Sequence, residues 1–286
     1  MNILYIGSSG ALSLIPFKKL LCSKYSIAAV AVNKPVLFDN KIIALENESL
    51  ALAANQYDIP LIDLSADISV VLQQCKKFSV DTILMSCYNK RLPDTLINVA
   101  SKGCFNLHPS LLPAYRGPEP VFWQMKEASD MGVSWHRVVH DFDAGDIVKQ
   151  KKVKLDEGAT YTEINHQLAD AGAELMMDLL NEISTDLLTS TVQDSSLASY
   201  YPYPEQGDFV VETSWTAQRA YDFMRATKSF GYPYLYRSGK QQYLLEQALD
   251  YDNNAHLDEI EVKADTLYIP FNEGILCATY TGKLHA

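Results

Sequence analysis

The sequence predicts an α/β protein: a parallel sheet with helices on both faces, followed by a smaller β-rich domain. Three observations predict it. Short apolar runs alternate with stretches of helical period through the N-terminal third of the chain. The segment Ser195 to Gly207 is turn-rich, carries Pro202 and Pro204, and reads as a linker. Beyond it come short β-favouring runs separated by Gly, Asn and Asp. The expected division is therefore residues 1–195 and 196–286.

The elements follow in order. Asn2 to Ile6 is an apolar strand ending at Gly7-Ser8-Ser9-Gly10, and Ala11, Leu12, Leu14, Ile15, Leu20 and Leu21 continue at helical spacing. Ile27 to Val32 predicts a second strand, Leu45 to Asn55 a helix, and Pro60 to Ile62 a short strand. Ile68 to Phe78 predicts a helix and Thr82 to Met85 a buried strand. In such a sheet the ligand crevice lies beyond the C-terminal strand ends, which places Gly7 to Gly10 and Ser86 to Leu92 there by topology alone. The glycine pair does not complete the spaced-glycine dinucleotide fingerprint, so ordinary turn chemistry is the plainer reading of it. Gly132 to Val139 and Ile147 to Val153 are β-like. From Ala159 to Leu188 the pattern is helical, with Leu168, Leu175, Met176, Leu179 and Leu180 as a core-facing stripe. In the tail, Thr216 to Arg225 predicts a helix, and Tyr232 to Tyr236, Tyr243 to Leu245, Thr266 to Ile269 and Ile275 to Thr279 predict strands.

Composition narrows the function. The chain is 48% hydrophobic and 21% charged, enough apolar content to exclude a disordered or fibrous protein. Its 24 basic residues face 35 acidic ones, a formal net charge of −11. Counted to Tyr200 there are 17 basic and 23 acidic residues, and after it 7 and 12. Neither part has the positive excess that phosphate-dominated binding needs, so nonspecific nucleic-acid binding is disfavoured. The five cysteines are scattered, without C-x-x-C spacing, and read as reduced thiols of a cytoplasmic protein. The N-terminus lacks the basic and apolar regions of a signal peptide, and no apolar run approaches the ~20 residues of a membrane span. Secretion and membrane insertion are disfavoured.

The densest cluster of chemical side chains is Cys104 to Pro120, containing Asn106, His108 and a proline-stiffened loop. In an extended segment Asn106 and His108 face the same way, so one strand edge can present an amide and an imidazole together. Pro109, Pro113, Pro118 and Pro120 make the following loop a rigid wall. A second cluster, His140-Asp141-Phe142-Asp143-Ala144-Gly145-Asp146, is a polar turn between the two β-like runs. An amide, an imidazole and a carboxylate brought together suit acyl transfer to an amine without a Ser or Cys nucleophile. On spacing alone, a satisfied turn pair and a solvated Asp turn stand beside that reading. His136 and His140 could form a metal pair on an extended segment, but no carboxylate or cysteine motif accompanies them.

The run Asn106-Leu107-His108-Pro109-Ser110-Leu111-Leu112-Pro113-x-Tyr115-Arg116-Gly117, followed by Asp143-x-Gly145-Asp146-Ile147, resembles the folate-dependent formyltransferase family. That family includes methionyl-tRNA, glycinamide ribonucleotide and nucleotide-linked amino-sugar formyltransferases. The resemblance implies a Rossmann-like catalytic domain and, from Tyr203-Pro204-Glu205-Gln206-Gly207-Asp208, Arg225-Ala226-Thr227 and Gly231-Tyr232-Pro233, a small C-terminal barrel-like domain. It implies Asn106, His108 and Asp143 as the catalytic triad. The segment Cys87, Tyr88, Asn89, Lys90, Arg91, Leu92 would hold the donor's pterin, and the loop with His140 and Asp141 would form its other wall. The implied co-substrate is 10-formyltetrahydrofolate, with no metal. Glu119, Phe122 and Trp123 look more like the aromatic-rich segment of the amino-sugar members, with core positions on the following helix an equal reading of Phe122 and Trp123, and the acidic tail lacks a tRNA-gripping excess. The expected acceptor is a small amine, a nucleotide-linked amino sugar, with methionyl-tRNA as the first rival. A silent folate-binding protein and a formyl-folate hydrolase are the others.

Overall fold

The apolar runs become strands because both of their faces are covered. All residues of Thr82–Ser86 and Cys104–His108 are buried, as are Ile3 to Ile6 of Asn2–Ile6. The computed structural model describes residues 1–33, 37–38, 41–42 and 49–285. Packing divides the chain into two compact units, one of Met1–Pro120, Asp130–Lys154 and Asn165–Tyr201, the other of Val121–Ser129, Leu155–Ile164 and Pro202–Ala286.

The first unit holds a seven-stranded sheet, in the order Leu61–Asp63, Ser26–Val32, Asn2–Ile6, Thr82–Ser86, Cys104–His108, Met131–Arg137, Ile147–Val153. Pairing is parallel as far as Cys104–His108. The last two strands then run antiparallel to their neighbours. Residue pattern alone predicts strands here but not their direction, so the antiparallel edge is a finding of the structure. After Ser26–Val32 and Leu61–Asp63 the chain returns to the opposite side of Asn2–Ile6. The strand order therefore reverses beside Gly7 to Gly10 and Ser86 to Leu92, where an open α/β sheet binds its ligands.

Helix Leu50–Gln56 is capped by Ser49, whose side chain accepts from the Leu52 amide at 3.2 Å. Residues 45–48 of the helix expected there lie outside the described residues. Ile68–Lys77 is capped by Asp67 and buries Val71 and Cys75. Those two side chains join Leu4, Ile6, Ala29, Ala31, Ile83, Met85, Leu92, Leu96 and Cys104 in one core layer. With Cys104 in that layer, side-chain alternation puts Asn106 and His108 on the same face, toward the strand's C-terminal end. On the other face, helix Tyr161–Ser184 approaches closely at Gly172, where a Cβ would lie 2.5 Å from Leu107. Trp135 fixes the contact by donating its indole N–H to the Gly172 carbonyl at 2.8 Å.

The second unit is built on a six-stranded sheet with edges at Val210–Val211 and Glu261–Lys263. Helix Ala217–Thr227 buries Phe223 and Met224. Helix Pro120–Glu127 supplies Phe122, whose ring packs among Phe209, Phe223 and Phe230 at centroid separations of 5.0 to 5.6 Å. Among the described residues, no helix is long and apolar enough to cross a membrane, and none of the five cysteines is in a disulfide.

Candidate active site

Asn106 and His108 are 8% and 4% exposed at the end of Cys104–His108, and such burial requires polar partners. Cross-strand register supplies the first. Asn106 lies opposite His136, and its Nδ2 meets His136 Nε2 at 3.1 Å. His136 Nδ1 lies 2.9 Å from the Arg137 carbonyl, which can only accept, so this nitrogen carries the proton. In the neutral ring Nε2 is therefore the acceptor for one Asn106 N–H, and the second Asn106 N–H is left to donate elsewhere.

The same argument fixes the tautomer of His108. Its Nε2 lies 2.8 Å from the Tyr115 carbonyl and donates to it. The lone pair of the neutral ring is then on Nδ1, which sits 3.6 Å from Asp143 Oδ1. His136 Nε2 is 3.5 Å from that oxygen, and Asp143 Oδ2 accepts the Gly117 amide N–H at 3.0 Å. Asp143 thus stands between two imidazoles with a backbone donor behind it. Burial by itself would raise its pKa. His108, His136 and the Gly117 N–H outweigh burial and hold the carboxyl well below the ordinary carboxylate range. Burial pushes His108 down from its ordinary value, with the Asp143 charge opposing. The arrangement is a neutral base at Nδ1 facing an anion that favours its protonated form.

Local backbone explains how the carboxylate is aimed. Asp143 has a left-handed φ of 54°. Two residues on, a Cβ at Gly145 would lie 1.9 Å from the Arg137 carbonyl, so only glycine lets the turn close there. The proline-rich loop supplies Tyr115 and Gly117, and it is fixed by Ser134, which donates to the Ser110 carbonyl at 2.7 Å and accepts from the Leu112 amide at 3.1 Å.

The residues expected to face the pterin occupy two loops that meet. Arg91 and His140 touch at 3.2 Å, and the Arg91 guanidinium lies over Phe142 at 5.1 Å. His140 Nδ1 is 3.9 Å from Asp94. Cys87 has a left-handed φ of 57°, and its carbonyl accepts from Ser8 at 2.7 Å. The Tyr88 hydroxyl bonds Asn33 at 3.3 Å, and Leu92 is anchored in the core. Asn89, Lys90 and Asp141 are exposed or half-exposed on the same loops. Val139 and Phe142 present exposed apolar surface beside the Arg91 cation, a chemistry that fits a flat heterocycle carrying an anionic tail.

His136 and His140 do not share a site: the first faces Asn106 and Asp143, the second Arg91 and Asp94. Among the described residues, no group of three or more His, Cys, Asp or Glu could hold a metal. Phe122 is a core residue, and Trp123, 8% exposed, donates its indole N–H to the Pro202 carbonyl at 2.9 Å, so packing accounts for both aromatics. The lysines of Ile147–Val153 are matched by acids: Lys149 by Glu182, Lys151 by Glu174 at 2.7 Å and Lys152 by Asp130 at 2.6 Å. His136 escaped the sequence reading as a site member because its partner lies across a strand pair whose register the sequence does not print.

Residues 17–180 match the formyl transferase family. The methionyl-tRNA formyltransferase of Syntrophomonas wolfei is 26% identical over 282 residues, covering 96% of this chain and 89% of the relative. That of Thermotoga maritima is 29% identical over 185 residues, 62% of this chain, and the match spans 59% of the relative's length. Among solved structures, the Helicobacter canadensis N-formyltransferase, in complex with folinic acid and dTDP-3-aminofucose, superposes with a TM-score of 0.72. It is 15% identical, with 98% of this chain and 100% of that one covered, a likeness of fold.

Proposed function

The chain belongs to the formyl transferase family, and we propose that it moves a formyl group from 10-formyltetrahydrofolate to a primary amine, the amine of a nucleotide-linked sugar. The observation that carries the chemistry is His108 Nδ1 facing Asp143 at 3.6 Å beside the Asn106 amide. The bound co-substrate supplies an electrophilic formyl carbon. Asn106 donates its free N–H to the oxyanion that develops at the formyl oxygen, an interaction worth about 10²–10³ in rate. His108 Nδ1 takes the proton that the attacking amine sheds, and Asp143 stabilises the imidazolium so formed. The same proton then serves the departing nitrogen, so the products are a formamide and tetrahydrofolate. The loops carrying Cys87 to Leu92 and His140 to Asp141 hold the donor.

For the acceptor, two observations favour a small amine over a tRNA. The net charge is −11, and the lysine cluster is largely paired with acids. The Helicobacter canadensis structure, named with an aminated nucleotide sugar, is consistent with this. The names of the sequence relatives favour methionyl-tRNA as the second reading. Incubation with formyl-folate and either a dTDP-linked amino sugar or charged initiator tRNA, read by mass gain of one formyl group, decides between them. Formylation of the sugar and little of the tRNA at physiological salt is expected. Efficient, salt-sensitive formylation of the tRNA overturns the acceptor and leaves the chemistry standing.

The direction of the His108 shift fixes a pH dependence. The base must be neutral, and burial holds its pKa below the ordinary histidine value near 6.5. The rate of formyl transfer should therefore stay flat as pH falls through about 6.5 and decline only below it. A kcat/KM profile corrected at each pH for the unprotonated fraction of the acceptor amine measures this, and a corrected acid limb at or above 6.5 would contradict His108 as the buried base.

A further inference from the structure

Gln193 lies fifty residues beyond Asp143 and two before the linker-like segment Ser195 to Gly207, yet its side chain is fully committed inside the site. Its Nε2 gives one proton to the Asp143 carbonyl and one to the Gly145 carbonyl, each at 2.7 Å. Its Oε1 accepts from Arg116 Nε at 3.2 Å and from the second Arg116 nitrogen at 2.7 Å. Two donors and two lone pairs are thereby used, the whole capacity of an amide.

The backbone places it there. Thr191 and Ile147 exchange hydrogen bonds at 2.9 and 2.8 Å, which pins the segment against the strand leaving the Asp143 turn. Arg116 N–H donates to the Ser199 carbonyl and Tyr201 N–H to the Arg116 carbonyl, each at 2.9 Å, which pins the same segment against the proline loop. Gln193 sits between these anchors and joins what they bring together. One side is the left-handed turn that carries the Asp143 carboxylate. The other is the residue next to Gly117, whose N–H orients that carboxylate.

We infer that Gln193 is a positioning residue for formyl transfer, locking the Asp143 turn to the Arg116-Gly117 loop so that the carboxylate is held against His108. The inference rests on the proposed role of Asp143 and adds a residue outside the proposed triad. Only glutamine fits the pattern among side chains of this size. Glutamate would oppose an oxygen to two carbonyls, and lysine would offer Arg116 no acceptor.

The test is a double-mutant cycle with a titration. Gln193→Ala should lower kcat about ten- to a hundredfold with donor KM little changed, the cost of a small misplacement of a catalytic group. In an Asp143→Asn background the same substitution should cost almost nothing further, because both act through one carboxylate. The charged and titratable groups facing His108 are Asp143, His136 and Arg116, with Asp143 the largest charge influence and Arg116 the smallest. Loss of alignment should therefore lower the His108 pKa, visible by ¹⁵N-histidine NMR without any substrate. Should Gln193→Ala fold poorly, Gln193→Met keeps much of the volume while removing both donors and adding no charge, and the same shifts are expected. A folded variant with unchanged kcat and unchanged His108 titration, or full multiplicative loss in the double variant, overturns the inference. If the wild-type protein formylates no amine, the functional reading falls, and the NMR titration still decides whether Gln193 positions Asp143.

Discussion

Replacing His108 by alanine should lower kcat for formyl transfer by about two to four orders of magnitude, the range spanned by loss of a positioned general base. The size of the effect follows from what the ring alone supplies. Its Nε2 is tied to the Tyr115 carbonyl at 2.8 Å, so the ring cannot turn, and Nδ1 holds its lone pair near the Asp143 carboxylate. His136 cannot substitute for it. That imidazole spends Nδ1 on the Arg137 carbonyl, and its Nε2 accepts from Asn106. Removing His108 also removes its hydrogen bond to the Tyr115 carbonyl, a net cost of roughly 0.5–1.5 kcal/mol in stability. Near-ultraviolet circular dichroism and a thermal melt separate that cost from the catalytic one. Turnover within tenfold of wild type in a folded variant would remove His108 from the mechanism.

Strands with continuous apolar runs were legible because burial on both faces leaves no alternative to Ile, Val, Leu and Met at those positions. Asn2–Ile6 and Thr82–Ser86 are examples, and the long helix Tyr161–Ser184 falls inside the predicted 159–188. Where one face meets solvent the signal thins. Gln241–Asp252 runs far past the predicted Tyr243 to Leu245, through register shifts that break its alternation, and Glu261–Lys263 is exposed throughout. The site divides in the same way. Asn106 and His108 stood out as polar side chains two apart on one strand edge, and the resemblance of the two motifs to the formyltransferases singled out Asp143. His136, Gln193 and the carbonyl of Tyr115 enter through strand register, a returning segment and a backbone atom, none of which has a residue-type signature. Phe122 and Trp123, for which motif resemblance and core packing stood as equal readings, lie in the helix core, where burial alone accounts for an aromatic pair.

Asp143→Asn should be nearly as damaging as loss of His108, with kcat lowered by about 10²–10⁴ and the fold retained. The substitution is isosteric, and an asparagine oxygen can still accept the Gly117 N–H that Asp143 Oδ2 accepts at 3.0 Å. In that orientation the new NH₂ replaces Oδ1, which lies 3.6 Å from His108 Nδ1 and 3.5 Å from His136 Nε2. It then donates toward the lone pair on which the base depends, and the charge that favoured the imidazolium is gone. Flipping the amide does not help, because it sets the NH₂ against the Gly117 donor. Burial, no longer opposed by a carboxylate, pushes the His108 pKa down further. The acid limb of kcat/KM should consequently move to lower pH while the plateau collapses, a combination that simple loss of folded protein does not produce. A full pH profile of the variant, alongside a melt showing it folded, measures both. A plateau within tenfold of wild type, or an acid limb displaced upward, would mean that the carboxylate does not support the proton on His108.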